Sequence, residues 1–253
     1  MKNIFRNDNV EDLMGWRGRV GLILPSSTII MEPWFNRLKP RGVTFLGSRM
    51  FISGVTPKEL IEMEKYSLRA AKELASAEVN LIAYCCTSGS FIKGKGFDKL
   101  IIEKIEKETG IKTLTTTTAV LKALEKLGLK KIVLVTPYIK EINISEKKFL
   151  ESNGYKVVRM AGMNIKTGTG LADPCPGEIY NFAKRNWSEE ADGIFISCMS
   201  FRSPDIVEAL EVDIGKPVVC AIQATLWNIL GEIEVFDPIE GYGSLLREIK
   251  YEK

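Results

Sequence analysis

The chain has no histidine among its 253 residues. That absence removes Ser-His-Asp triads, Cys-His nucleophile pairs and zinc sites built on imidazole. Acid-base chemistry near neutral pH is left to Cys, Lys, Tyr or a carboxylate in a perturbing environment. Cysteine is also sparse: there are five, an odd number, with no CxxC spacing, so neither a disulfide framework nor a thiolate metal site is expected. Nowhere do about 18 apolar residues run together, and charges are scattered through the first 20 residues without an uninterrupted apolar segment. These absences predict a cytoplasmic protein without a membrane span or secretory leader. There is no basic run, and the net charge is +3. Nucleic acid is therefore not an expected partner.

What is present is an ordinary globular composition, 45% hydrophobic and 26% charged, in a chain long enough for one large domain or two small ones at about 150 residues each. Short runs rich in β-branched residues alternate with longer amphipathic stretches, the pattern of βαβ units and a parallel sheet. Strands are expected at 20–24, 43–46, 79–84, 132–136, 156–160, 193–197 and 217–220, with helices between them. Thr56-Pro57-Lys58-Glu59 reads as a helix start, with an N-cap Thr, Pro at the first helical position and Glu three residues after the cap.

The two halves repeat. "VGLILPSS" (20–27) and "IVLVTPYI" (132–139) are strands that end in Pro plus a polar residue. "YCCTSGS" (84–90) and "SCMSFRS" (197–203) are strand ends followed by Cys-x-Ser. The prolines, 137 − 25, and the cysteines, 198 − 86, share the offset 112. "GIKTLTTTTAVLKAL" (110–124) also echoes "GKPVVCAIQATLWNIL" (215–230), after a loop of different length. A duplicated α/β unit accounts for all three pairs. Its halves would be related by a pseudo-twofold axis, with the strand C-termini facing a shared cleft, where parallel sheets bind ligands. Cys86 and Cys198 then stand on opposite walls.

A cysteine at a strand end is ordinarily a small buried hydrophobe, and Cys85, Cys175 and Cys220 keep that reading. Cys86 and Cys198 differ because they occupy equivalent places, each before a Ser and a helix. N–H groups at a helix start can bind an anion and lower a thiol pKa. On the residues alone, the core and catalytic readings of this pair stand level. Gly94-Lys95-Gly96 and Gly168-Thr169-Gly170 lack the context of a dinucleotide fingerprint and read as loop glycines. "TLTTTTAV" (113–120) reads as a strand edge running into an N-cap. Arg49 and Arg202 lie near strand ends, within reach of a carboxylate or simply on the surface.

Taken together and in order, Pro-Ser-Ser after the first strand, Cys-Thr-Ser-Gly-Ser at the first site, Thr-Pro-Tyr opening the second half and Ile-Ser-Cys at the second site resemble the Asp/Glu racemase superfamily. Within it they are most similar to the maleate cis-trans isomerase and arylmalonate decarboxylase branch, over about residues 17–232. The resemblance implies an α/β fold of two Rossmann-like parallel-sheet lobes, the first spanning 1–118 plus 222–253 and the second 119–221. It also implies a cofactor-independent enzyme, a homodimer, acting on a small carboxylic or dicarboxylic acid. In maleate isomerases the first cysteine, here Cys86, adds to the alkene and the second, here Cys198, supplies the proton. Substrate-binding positions carried over are Ser27, Thr28, Thr87, Ser88, Gly89, Tyr138, Asn143 and Met199, with no metal. Decarboxylases of the branch have glycine in place of Cys86, which argues against decarboxylation. Maleate isomerases typically show Asn where this chain has Thr28, and a threonine has one donor and a shorter reach. A related diacid, racemisation of a substituted acid, and a non-catalytic carboxylate binder therefore stay open beside maleate isomerisation.

Overall fold

The computed structural model describes residues 14–248, so much of the stretch read for a leader and both outer ends of the expected first lobe lie outside the described residues. The first half comprises β1 (Gly18–Pro25), α1 (Met31–Leu38), β2 (Val43–Met50), α2 (Pro57–Glu64), α3 (Ser67–Ala75), β3 (Leu81–Tyr84), α4 (Thr87–Phe91), α5 (Phe97–Thr109) and β4 (Thr113–Thr115). Helix α6 (Thr116–Lys126) leads into β5 (Lys131–Thr136), α7 (Lys140–Ser152), β6 (Lys156–Gly162), α8 (Pro176–Arg185), β7 (Gly193–Ile196), α9 (Val207–Ile214) and β8 (Val218–Cys220). Helices α10 (Ala221–Glu232) and α11 (Ser244–Arg247) follow.

All strand pairs are parallel and form two four-stranded sheets, ordered β2-β1-β3-β4 and β6-β5-β7-β8. The orders are identical, strand for strand. β3 and β7 are 112 residues apart, whereas β4 and β8 are 218 − 113 = 105 apart, which is the change of loop length read from the sequence. The central strands β3 and β7 are buried along their whole length, as expected of parallel strands covered on both faces. Their continuous apolar runs follow from that. Edge strand β2 is only partly buried.

Each sheet reverses its order between two neighbouring central strands, β1 and β3 in one and β5 and β7 in the other. Loops leaving such a pair diverge to opposite sides and open a crevice at the carboxyl ends. Pro25 to Thr28, Cys86, Tyr138 and Cys198 all sit at these four strand ends. The equivalent helices α6 and α10 make the most extensive helix–helix packing among the described residues, a self-matching contact between the halves. Thr225 Oγ1 donates to Thr116 Oγ1 across it at 3.3 Å. Glu232 of α10 pairs with Lys112 and Lys122 of the first repeat's end at 2.5 and 2.8 Å.

The Thr56 helix start is as read. Glu59 N–H donates to Thr56 Oγ1 at 3.4 Å, and Thr56 N–H donates to Glu59 Oε2 at 3.0 Å. Thr115 closes β4 and caps α6, accepting from Thr118 N–H at 3.2 Å. Replacing Thr56 by Ala removes one arm of the capping box and should lower stability by about 1 kcal/mol, measured as the shift in urea midpoint at unchanged m-value.

Candidate active site

The four strand ends enclose a cavity of about 30 Å³. Ser27, Cys86, Thr87 and Ser88 line it from the first half, and Tyr138, Cys198, Met199 and Ser200 from the second. Pro25, Met31, Ile52, Val55, Leu60 and Leu171 complete the wall, and no residue of the lining carries a formal charge. Cys86 and Cys198 thus share one cavity, and each lies close enough for the charge of Cys86 to oppose ionisation of Cys198.

Cys86 is the N-cap of α4. Its Sγ accepts from Gly89 N–H at 3.3 Å and lies 3.8 Å from Ser88 Oγ. Burial nevertheless pushes its thiol up to about 11, with the two donors pulling the other way. Cys198 is not the conformational twin of Cys86. It adopts φ 90°, left-handed and rare for a non-glycine residue, and is followed by a turn; the next helical residues begin at Pro204, so the expected helix does not start directly after it. Strain of this kind costs about 1–3 kcal/mol and survives where surroundings impose it. Ser200 N–H donates to Cys198 Sγ at 3.3 Å, and the Tyr138 hydroxyl donates to it as well. Burial still dominates and holds this thiol up at about 12. The lowering expected from N–H donors at a helix start is therefore outweighed at both sulfurs by loss of water.

Three of the sequence-predicted residues stand one layer behind the lining. Thr28 is buried, and its Oγ1 accepts from Ser200 Oγ at 3.3 Å, tying the halves together. Gly89 acts through its N–H. Asn143 has its amide engaged: Oδ1 accepts from Thr136 Oγ1, and Nδ2 donates to the Tyr138 carbonyl at 3.1 Å, so it braces the loop that presents Tyr138. Thr87 Oγ1, by contrast, is buried in the lining with no partner.

Arg49 and Arg202 do not reach the cavity. Arg49 donates to the carbonyls of Ser26 and Thr28 at 3.1 and 2.9 Å and pairs with Glu32, holding the loop after β1. Arg202 donates to the carbonyls of Asp173 and Pro174 at 2.6 and 3.0 Å. Gly168 approaches Ser27 so closely that a Cβ there would lie 2.5 Å from Ser27 Oγ, which is why that loop needs glycine. Cys85 and Cys220 are buried outside the cavity, and Cys175 is exposed.

Sequence reasoning missed Glu146. It lies on the inner face of α7 and is fully buried, taking a hydrogen bond from Ser197 Oγ at 2.5 Å while its Oε2 has no partner. Burial raises its carboxyl to about 8. The available signal was one acidic residue in register with Ile142, Phe149 and Leu150 on the apolar stripe.

Two parallel-sheet lobes of identical strand order, with paired strand ends around one small uncharged cavity, define a class of two-lobed α/β proteins built for a small ligand between their halves. Residues 20–246 match the family profile described as arylmalonate decarboxylase, and the chain belongs to that family. It is 27% identical over 241 residues to a maleate isomerase of Pseudomonas putida, covering 90% of this chain and 96% of that one. Its fold superposes on the crystal structure of a Pseudomonas putida S16 maleate isomerase with maleate at a TM-score of 0.88 and 27% identity, covering 91% of this chain and 98% of that one. A Nocardia farcinica maleate cis-trans isomerase mutant with a covalently bound succinylcysteine intermediate matches at a TM-score of 0.86 and 24% identity, covering 91% and 98%.

Glu146 keeps its proton in the fold to about pH 8, whereas it ionises near 4.5 when unfolded. Its contribution to stability is therefore complete below about pH 4.5 and is lost as pH rises toward 8. Relative to Glu146→Gln, the parent protein should lose Tm between about pH 5 and 8; a gap that stays constant across that range contradicts a buried neutral acid.

Proposed function

We propose that the protein is a cofactor-independent cis-trans isomerase of a maleate-like unsaturated dicarboxylate. The observation that carries this reading is the pair of buried thiols that the two halves bring to one cavity, whose other polar groups are neutral. Cys86, as thiolate, adds to one alkene carbon while Cys198 gives its proton to the other. The C=C becomes a single bond, the thioether adduct rotates, Cys198 takes the proton back, and the C–S bond breaks to release the trans isomer and the Cys86 thiolate. Charge that builds on the substrate carboxylate during addition calls for preorganised donors. Ser27, Thr87, Ser88 and Tyr138 hydroxyls supply them, with the amides around Gly89 and Met199. The partnerless Thr87 hydroxyl is the clearest of these.

The resting cavity has room for about two waters, so a four-carbon diacid enters only when the wall parts. Ile52 and Val55 of that wall lie on the loop between β2 and α2, and Leu171 lies on the 3-10 turn Thr169–Ala172. Thr28, already bonded to Ser200, offers less to a carboxylate than the Asn of maleate isomerases, which favours testing related diacids beside maleate. A cytoplasmic homodimer belongs to the same reading, supported by composition for the compartment and by family resemblance for the dimer. Light scattering on the purified protein should give twice the chain mass.

Proton NMR of the reduced protein with maleate in D₂O should show fumarate without added cofactor. Cys86→Ala should be inactive, and Cys198→Ala, in which water must supply and remove the proton, should lose most of its turnover, with the protonated thioether accumulating as a mass heavier by one maleic acid. An active Cys86→Ala enzyme removes the nucleophile assignment. Deuterium entering the α-position of an amino acid, with maleate untouched, establishes a two-thiol racemase instead.

A further inference from the structure

An ionised sulfur in an uncharged, water-poor cavity needs hydrogen-bond donors, and the two halves provide them differently. Cys198 has the phenol of Tyr138. At the offset of 112, the first-half equivalent of Tyr138 is Ser26, which is occupied by the Ile52 N–H at 3.0 Å and lies outside the cavity lining. The duplicated position therefore gives Cys86 no phenol. The first half has a tyrosine elsewhere, Tyr84 at the end of β3, where the second half has Ile196.

Tyr84 is fully buried, and its hydroxyl has no hydrogen-bond partner. A buried hydroxyl left unpaired costs about 1–3 kcal/mol, so its retention calls for an explanation. The geometry offers one at Gly89. A Cβ on Gly89 would lie 3.0 Å from the Tyr84 hydroxyl oxygen and 3.0 Å from Cys86 Sγ. The Met63 methyl lies 2.8 Å from the same point, so the phenol oxygen, the sulfur and this flexible side chain converge where the glycine has no side chain.

We propose that Tyr84 is the phenol donor to the Cys86 thiolate, its hydroxyl turning to the sulfur once the thiol has ionised and joining the Gly89 N–H and the Ser88 hydroxyl. Each thiol then has its own phenol, recruited from a different strand of the repeat. Other titratable groups near Cys86 and Tyr84 are Cys85 beside it, Tyr138 and Cys198 across the cavity, and Glu64 on α2. Glu64 is held by Lys104 at 2.8 Å and opposes ionisation of Tyr84, which keeps the phenol a donor.

The proposal rests on Cys86 acting as a thiolate, and its test needs no substrate. The rate of alkylation by iodoacetamide is followed against pH for each cysteine by peptide mass spectrometry, in the full-length protein and in Tyr84→Phe. That variant deletes one partnerless oxygen and should melt at or above the parent temperature. The Cys86 midpoint should rise by about one pH unit, about tenfold slower alkylation at any pH below it, while the Cys198 midpoint stays. Tyr138→Phe should do the reverse. An unmoved Cys86 midpoint in Tyr84→Phe, or equal shifts at both cysteines, overturns the assignment. A protein inert toward maleate that still shows the selective shift sinks the isomerase reading and leaves Tyr84 in place.

Discussion

Loss of water around two sulfur atoms is the constraint on which the rest of this site depends. Both thiols are buried, both are held far from ionisation, and the cavity offers no cation to compensate. An isolated charge in such surroundings is costly. The protein answers with oriented dipoles: amide N–H groups at Gly89 and Ser200 and hydroxyls at Ser88 and Tyr138. Two thiolates facing each other would repel, so only one of the pair ionises at a time, and the two must titrate as a coupled unit.

The fold supplies these dipoles through strand order alone. Parallel strands put all their carboxyl ends on one edge, and the reversal between β1 and β3, repeated between β5 and β7, opens a gap at that edge. Duplication brings two such gaps together. Arg49 and Arg202, each bonded to main-chain carbonyls of a wall loop, then act as struts, leaving the cavity itself free of charge.

Much of this was legible in the sequence because it is written in local periodicity and in spacing. The β-branched runs marked seven of the eight described strands, and the row of threonines at 113–120 read as a strand edge running into an N-cap, which is β4 and the start of α6. The shared offset of 112 is enough to bring Cys86 and Cys198 to one cavity. What could not be read depends on contacts distant in sequence. The left-handed turn at Cys198 is imposed by its surroundings rather than by a glycine. The direction of the thiol shifts follows from burial, which a Cys-x-Ser motif does not encode. Asn143 looks from its motif like a ligand for substrate, yet its amide is taken up by Thr136 and the Tyr138 carbonyl. Glu146 hides on a stripe that otherwise reads as core.

The unequal backbone at the two cysteines has a stereochemical consequence. Cys86 extends from a helix cap with φ −146°, and Cys198 turns in at φ 90°, so the halves are related in topology but not superposable at their reactive atoms. A planar alkene between them meets sulfur on one face and a proton on the other. On the reading proposed above, addition is therefore anti. The duplication has in this way yielded two unlike reagents from one repeated position, one suited to bond carbon and the other to pass a proton.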